Sequence, residues 1–347
     1  MIVERLFSYG LFLCLLTLSL MPTPQSMADE TKGLPTLKVA SLQFGTVNWH
    51  LDVIKHHQLD KAHGFHLDIL PVASKNAASV ALQGGAADII VGDWFWVSRQ
   101  RTSGRLFHFA PYSTASGGLV MASSSQQHGQ LQELFHKRIG VAGGRIDKNW
   151  LLMRAYSLQQ KGTDIEDHVD VVYGAPPLLS ALLKRGEIDG VLTFWHFQAR
   201  LEADDDYHTA FPMHTILTEL GITPTIPING WIFSQPWAQQ NPRLLDAFLS
   251  ASQQAFHIMA TSDDEWQRLK PHMHAPDDKT FIRLRDGYRQ GIPKEFGTEE
   301  QQATEKLFQL VATLGGTELV GKSKHISEGT FWTHGTTPEE APSRHTP

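Results

Sequence analysis

"SVALQGGAADIIVGDWFW", residues 79 to 96, has the pattern of a helix, a glycine pair and a short strand that ends in aromatic residues. Gly84 and Gly85 end the helix, and the apolar run 89–91 predicts a buried strand. The rings come after Asp93 and before a polar stretch at 98–101, and such polar residues prefer water. The rings therefore lie where the strand ends.

The same pattern returns later in the chain as "SALLKRGEIDGVLTFWHF", residues 180 to 197, at an offset of 101 residues. The matched pairs are Ser79 and Ser180, Leu82 and Leu183, Gly85 and Gly186, Asp88 and Asp189, and Trp94 and Trp195. At this offset Asn48-Trp49 matches Asn149-Trp150, and one residue off it "HLDILPVAS" matches "HVDVVYGAP". The nearly constant offset predicts two similar α/β lobes.

Strands and helices alternate from the first strand, "LKVASLQ", and the order restarts with "KRIGVAGG" near Lys137. This alternation predicts parallel strands with helices on both faces. Ligands of open α/β sheets bind outside the carboxyl ends of the strands, next to helix N-termini. We therefore expect Trp94 and Trp195 to line opposite walls of one cleft and to clamp a small molecule between hinged lobes.

The first 28 residues predict a cleaved signal peptide, with Arg5, an apolar stretch at 6–21 and the pattern Ser26-Met27-Ala28. We expect an exported, periplasmic protein. The only cysteine, Cys14, lies within this segment after Leu13, so neither a lipid anchor nor a disulfide is expected in the mature chain. The formal charge of -6 provides no basic surface for nucleic acid.

Three segments carry a family resemblance: "ALQGGAADIIVGD", "PPLLSALLKRGEIDGVLTFW" and "NGWIFSQPWAQQNPRLLDAFLSASQQA". On these motifs, the chain from about residue 37 to residue 332 resembles the periplasmic solute-binding proteins of ABC importers. The resemblance is to the nitrate/sulfonate/taurine group, which shares its domain with thiamine-pyrimidine precursor binding proteins. It implies a monomer without a cofactor that captures a small organic ligand, a sulfonate, carboxylate or pyrimidine-like solute, and delivers it to a membrane permease.

The resemblance also implies an α/β type II periplasmic-binding fold, with two similar lobes of mixed sheet flanked by helices. The hinge consists of two crossovers, placed near 116–118 and 225–229. Lobe 1 then comprises residues 36–116 and 229–332, and lobe 2 comprises 117–228. We expect residues 333–347 to form a disordered tail and Phe331 and Trp332, before it, to dock on lobe 1.

Candidate binding residues follow from these positions. The family places a ligand-contacting loop after the first strand, and helix N-termini attract anions. Trp49 as a packing residue, Asn76 or Asp93 as an N-cap and Arg145 as a solvated side chain remain open as alternatives. The candidates are Phe44, Asn48, Trp49, Asn76, Asp93, Trp94, Ser116, Gly144, Arg145, Trp195, His196 and Asn229.

Two other classes of function were weighed against solute capture. The 18 histidines include His56-His57, His63, His66 and the pair His272 and His274, which leaves a metal-binding protein as the alternative. Their spacing matches no compact metal motif. A pyrimidine-synthesising branch of the same fold carries a cysteine-rich motif that the mature chain lacks, and no nucleophile elbow or HExxH motif is present. We therefore expect no catalysis.

Overall fold

The computed structural model describes residues 33–123, 130–294 and 296–333. The predicted signal peptide and residues 334–347 of the predicted tail lie outside these ranges. None of the helices in the described ranges is long and apolar enough to cross a membrane.

The described residues form two mixed sheets of five strands each. The strands are β1 (Thr36–Leu42), β2 (His66–Val72), β3 (Ile89–Gly92), β4 (Phe107–Ser113), β5 (Gly118–Ala122), β6 (Arg138–Ala142), β7 (Asp170–Gly174), β8 (Gly190–Thr193), β9 (Tyr207–Pro212) and β10 (Asn229–Ser234). One sheet has the order β2-β1-β3-β10-β4, and the other has the order β7-β6-β8-β5-β9. We call the first sheet and its helices lobe 1 and the second sheet and its helices lobe 2.

Helices cover both sheets. They are α1 (Val47–His56), α2 (Leu59–Ala62), α3 (Lys75–Gln83), α4 (Trp94–Thr102), α5 (Lys148–Lys161), α6 (Pro176–Lys184), α7 (Trp195–Glu202), α8 (Met213–Glu219), α9 (Gln235–Gln240), α10 (Pro242–Thr261), α11 (Asp263–Leu269), α12 (Asp278–Gln290) and α13 (Thr298–Val320). Gly316 interrupts α13 with a non-helical backbone. Three short 3₁₀ turns span Leu131–Leu134, Ile165–Asp167 and Lys270–Met273.

The two sheets have the same internal arrangement. In each, three parallel strands are followed by a strand that runs antiparallel to both of its neighbours, β10 in lobe 1 and β5 in lobe 2. Each of these antiparallel strands follows a crossover from the other sheet, since β4 lies in lobe 1 and β9 in lobe 2. The predicted fold class, two similar α/β lobes with two crossovers, is therefore confirmed. The residue boundaries that we give the lobes stay a prediction.

The matched aspartates of the repeat make the same contact in both lobes. Asp88 Oδ2 accepts a hydrogen bond from the Lys38 amide at 2.8 Å, and Asp189 Oδ2 accepts one from the Arg138 amide at 2.8 Å. Each aspartate immediately precedes the third parallel strand of its sheet and ties it to the central one. The sequence repeat therefore corresponds to a repeated local structure.

One apolar cluster of the described residues runs from one lobe to the other. Buried side chains of α4, α5 and α13 belong to the same cluster, which includes Trp94, Trp150 and Phe308. Helix α13 contacts α4 of lobe 1 and also α5 of lobe 2. Although we assign residues 229–332 to lobe 1, this last helix packs on both lobes.

The end of the described chain docks on the edge of lobe 1. The Phe109 amide donates to the Thr330 carbonyl at 2.7 Å, and the Trp332 amide donates to the Phe109 carbonyl at 2.8 Å. Phe331 also forms an isolated parallel bridge with Phe109. The predicted docking of Phe331 and Trp332 on lobe 1 is confirmed.

The cleft between the lobes as a candidate binding site

A cleft lies between the lobes at the carboxyl ends of the parallel strands, where an α/β sheet offers helix N-termini to a ligand. It consists of two adjoining cavities of about 760 and 320 Å³. Both are of a size suited to a small organic molecule. The residues that line both cavities are Lys75, Val91, Asp147, Lys148, Pro176 and Phe194.

An ion pair crosses this cleft. The ammonium of Lys148, the first residue of α5, donates to Asp93 Oδ2 at 2.8 Å. Asp93 is the N-cap of α4, where its other oxygen accepts from the Trp96 amide at 2.9 Å. Burial alone would raise the pKa of Asp93, but the charge and hydrogen bond of Lys148 outweigh it and lower that pKa. Asp93 therefore caps a helix of lobe 1 and also accepts a hydrogen bond from a lysine of lobe 2.

A second lysine in the cleft has no such partner. Lys75, the first residue of α3, is exposed to the cleft, and its ammonium lies 5.3 Å from the centroid of the Phe194 ring. Among the described residues, no protein acceptor forms a hydrogen bond with this ammonium. Burial by the surrounding walls and the nearby charge of Lys148 lower the pKa of Lys75, and Asp93 and Asp147 partly oppose this effect. The cleft thus contains a cation that is free to bind an anion.

The start of α7 provides further unpaired groups. Phe194 occupies its N-cap position and has no side chain atom that could accept from the first amides of the helix. In the described part of the chain, His196 Nδ1 is buried without a hydrogen-bond partner. Burial, with smaller effects of Arg200 and Lys75, lowers the pKa of His196 to about 4. At neutral pH the imidazole is therefore neutral, and it lines the smaller cavity beside Trp195.

Comparisons with known proteins give the same architecture. A family model described as the NMT1-like family matches residues 145–269. The alkanesulfonate-binding protein SsuA of Xanthomonas axonopodis pv. citri, bound to MOPS, is 15% identical, with a TM-score of 0.64 over 86% of this chain and 99% of that one. The periplasmic aliphatic sulphonate binding protein SsuA of Escherichia coli is 16% identical, with a TM-score of 0.66 over 86% and 98%.

A gene product of Candida albicans described as having the generic periplasmic binding protein fold also matches, with 14% identity and a TM-score of 0.54 over 82% and 91% of the two chains. The chain has the periplasmic-binding fold. A comparison with curated proteins finds no match. The resemblance seen in the sequence agrees with the NMT1-like family model over residues 145–269, and these structural neighbours share the fold.

Most of the candidate residues lie at the cleft of this periplasmic-binding fold. Asn76, Asp93 and Gly144 line the larger cavity. The smaller cavity is lined by Phe44, Ser116, Trp195, His196 and Asn229. Their roles as ligand contacts stay a prediction.

Trp94 does not lie at the cleft. It is only 1% exposed, its Nε1 donates to the Pro227 carbonyl at 3.0 Å, and its ring stacks on Phe95 with centroids 3.7 Å apart. The expected pair of facing indoles is therefore not formed, because α13 covers this side of α4 with Phe308. Of the two matched tryptophans, only Trp195 lines the cleft, while Trp96 lines the larger cavity from α4.

Three other candidates also lie away from these two cavities. The Arg145 side chain is 73% exposed, and its Nη2 lies 3.8 Å from Glu166 Oε2. Asn48 bonds back to its own loop, accepting from Ser41 at 2.8 Å and donating to the Leu42 carbonyl at 2.8 Å. Trp49 is buried in lobe 1, and its indole lies edge-on to Trp195 at 6.4 Å. Asn48 and Trp49 line an adjoining groove of about 650 Å³.

Sequence reasoning missed the two lysines of the cleft as candidates. Lys75 and Lys148 each occupy the first position of a helix, after the caps Ser74 and Asp147. A lysine there opposes the positive end of the helix dipole, so the position costs free energy and needs another reason. That conflict was the available signal. Asp147, the cap next to Lys148, also lines both cavities.

Proposed function

We propose that this protein captures a small organic anion between its two lobes and delivers it to the permease of an ABC-type importer. The observation that carries the proposal is the ammonium of Lys75, which has no hydrogen-bonding acceptor among the described residues and lies in a cleft that the uncapped start of α7 also faces. Cations and free helix amides stabilise an anionic group together. The neighbours with this fold are named as sulfonate-binding proteins.

The walls of the cleft favour an anion with an apolar part. Phe194 lines both cavities, and Trp195 lines the smaller one. Aromatic contacts contribute roughly 0.5–1.5 kcal/mol beyond area burial, whereas micromolar affinity needs about -8 kcal/mol. Polar contacts must therefore supply much of the affinity. A sulfonate or carboxylate uses the charge of Lys75, and a neutral pyrimidine does not.

We propose that the protein is a periplasmic monomer without a catalytic role. The binding proteins that share the fold support this proposal. The carboxylates that line the cleft, Asp93 and Asp147, both cap helices, and Asp93 is also held by Lys148. Carboxylates that are held by helix amides and by a lysine suit a binding site better than the role of a general base.

Native mass spectrometry of the mature protein, gently purified, tests the capture of a solute. An added mass that disappears on denaturation identifies a bound small molecule. Titrations of the emptied protein with alkanesulfonates, carboxylates and pyrimidines, followed by tryptophan fluorescence, then rank the classes. Failure of every anion to bind, with binding of a neutral pyrimidine, would contradict the anionic ligand.

Lys75→Met tests the residue that carries the proposal. Charge-assisted hydrogen bonds contribute about 1.5–3 kcal/mol, so we expect the anion to bind roughly 10- to 100-fold more weakly. Lys61→Met is the matched control, because Lys61 is an exposed lysine of lobe 1 outside the two cavities. Equal affinities of the two variants would remove Lys75 from the site. Copurification with a membrane permease tests delivery.

A further inference from the structure

A cluster of metal-ligating side chains lies on lobe 1, outside the cleft. His56 is the last residue of α1, His57 follows it, and Glu265 is in α11. One ligand atom of each lies within 4.8 Å of the others. His57 Nε2 and Glu265 Oε2 are already 3.0 Å apart although the two residues are 208 positions apart in sequence.

The carboxylate of this cluster is buried and oriented. Glu265 is 6% exposed, and its Oε1 accepts from Arg268 Nε at 3.0 Å and from Nη2 at 2.6 Å. Because Arg268 occupies only Oε1, the second oxygen, Oε2, faces the histidine.

Arg268 fixes the carboxylate of the cluster in place. Its Nη2 is bonded to Asp52 as well as to Glu265, so one guanidinium bridges two carboxylates. Asp52 is one helical turn before His56 in α1. A ligating carboxylate that is itself held by a hydrogen-bonding partner in the outer shell is typical of metal sites.

We propose that His56, His57 and Glu265 form a site for a divalent transition-metal cation such as Zn²⁺. Two imidazole nitrogens and one carboxylate oxygen are ligands that suit Zn²⁺ better than Mg²⁺ or Ca²⁺, and a water completes the shell. Ligands of a tetrahedral zinc ion lie roughly 3.3–3.6 Å apart, since each is about 2.0–2.2 Å from the metal. His57 Nε2 and Glu265 Oε2, 3.0 Å apart, need to move apart only slightly as the metal replaces their hydrogen bond, and exposed His56 reaches the site by rotating its side chain.

The site joins two segments that are distant in sequence. The metal links the end of α1 to α11, which are both in lobe 1, and none of its three ligands lines either cavity of the cleft. A metal that binds the folded state but not the unfolded state raises stability by mass action. We therefore expect Zn²⁺ to stabilise lobe 1 and to leave the affinity for the solute unchanged.

Calorimetric titration of the mature, tag-free protein with ZnCl₂ tests the site. We expect one site of micromolar or tighter affinity, a rise in melting temperature with Zn²⁺, and no binding of Mg²⁺. His56→Ala and His57→Ala should each weaken Zn²⁺ binding at least tenfold and remove the rise. The matched control carries His272→Ala and His274→Ala, the other close histidine pair, and should bind as the wild type does.

Two results would overturn the site: no binding of Zn²⁺ to the wild type, or binding of wild-type strength in both His56→Ala and His57→Ala. Loss of binding only in the control would move the metal to His272 and His274. His56→Ala keeps the test valid if His57→Ala fails to fold, because His57 bonds to the buried Glu265, whereas the exposed ring of His56 contacts that of His57. Titrating the solute with and without a chelator separates this site from the cleft.

Discussion

Trp94 and Trp195 occupy the same position in the two lobes, the first residue of the helix that follows the third parallel strand. Yet Trp94 is buried in the core, whereas Trp195 lines the cleft. Each follows a short strand and begins a helix, so their places in the local structure are alike. The difference teaches that a repeat fixes where a residue lies in its own lobe, while the elements that cover it decide its role.

The covering elements can be named. Helix α13 lies against α4 and places Phe308 next to Trp94, with ring centroids 6.4 Å apart. Helix α12 lies against α7, and there Gly287 accommodates the indole of Trp195, since a Cβ at this position would lie 3.1 Å from the ring. One face of Trp195 is therefore packed and another stays open to the cleft.

The largest expected effect is the loss of stability in Trp94→Ala, which tests whether Trp94 belongs to the core. Removing a buried tryptophan leaves a cavity, so the free energy of unfolding should fall by about 3–5 kcal/mol. Denaturant unfolding measures it, with Trp195→Ala as the control at the equivalent position. A smaller loss in Trp94→Ala than in Trp195→Ala would contradict the assignment of Trp94 to the core.

A second difference lies one residue further, where the repeat pairs Phe95 with His196. Burial lowers the pKa of His196 from 6.5 to about 4. Between these values the unfolded chain binds a proton that the folded chain does not, so stability is full above pH 6.5 and falls as the pH is lowered. His196→Phe should reduce this slope by at most about 1.4 kcal/mol per pH unit.

Denaturant unfolding at a series of pH values from 8 to 4 measures the slope in wild type and variant. Above pH 6.5 the two curves should run parallel, which provides an internal control. His50 and His108 also have lowered pKa values, of about 3 and about 4, so part of the slope remains in the variant. Identical slopes below pH 6.5 would show that His196 is not buried as a neutral group.

A third test concerns binding. Trp195→Ala should weaken solute affinity about tenfold, because an aromatic contact contributes roughly 0.5–1.5 kcal/mol. Trp195→Phe retains a ring and should lose less. Isothermal titration with the solute found by mass spectrometry measures both. If Trp195→Ala binds as tightly as the wild type, the open face of Trp195 has no part in capture.

The smallest effects should be equal in the two lobes. Asp88→Ala and Asp189→Ala each remove one hydrogen bond to a backbone amide, both at 2.8 Å, and Asp189→Ala also removes an exposed ion pair with Lys137 Nζ at 3.5 Å, which contributes little. We expect each to lower the free energy of unfolding by about 1 kcal/mol. Denaturant midpoints at constant m-value measure the pair. Losses that differ by more than about 1 kcal/mol would show that the matched aspartates do not stabilise the two lobes equally.

Much of the fold could be predicted from the sequence. The repeated helix, glycine and strand pattern indicated two α/β lobes, and the equivalent bonds of Asp88 and Asp189 show why it could. These contacts depend on neighbours within one lobe, which the repeat preserves. The candidate site was predicted less well: His196 and Asn229 reach the cleft, but Trp94 and Arg145 do not.

The missing information was which segments from outside the repeat cover each lobe. Helix α13 has no counterpart in the repeat, and it buries Trp94. The ion pair between Lys148 and Asp93 likewise joins residues from different lobes, so no local pattern predicts it. A lysine at a helix N-terminus was the one sequence signal of this site that we did not use.

The sequence by itself determined the two lobes, the order of their elements and the strand ends that face the cleft, because periodicity, caps and glycine turns act over a few residues. Only the tertiary structure decided which aromatic residue is buried, which lysine is paired and which histidines meet Glu265. Those outcomes depend on contacts between segments far apart in the chain. Burial and distance, which set the energy of a charge or a ring, exist only once such segments are packed together.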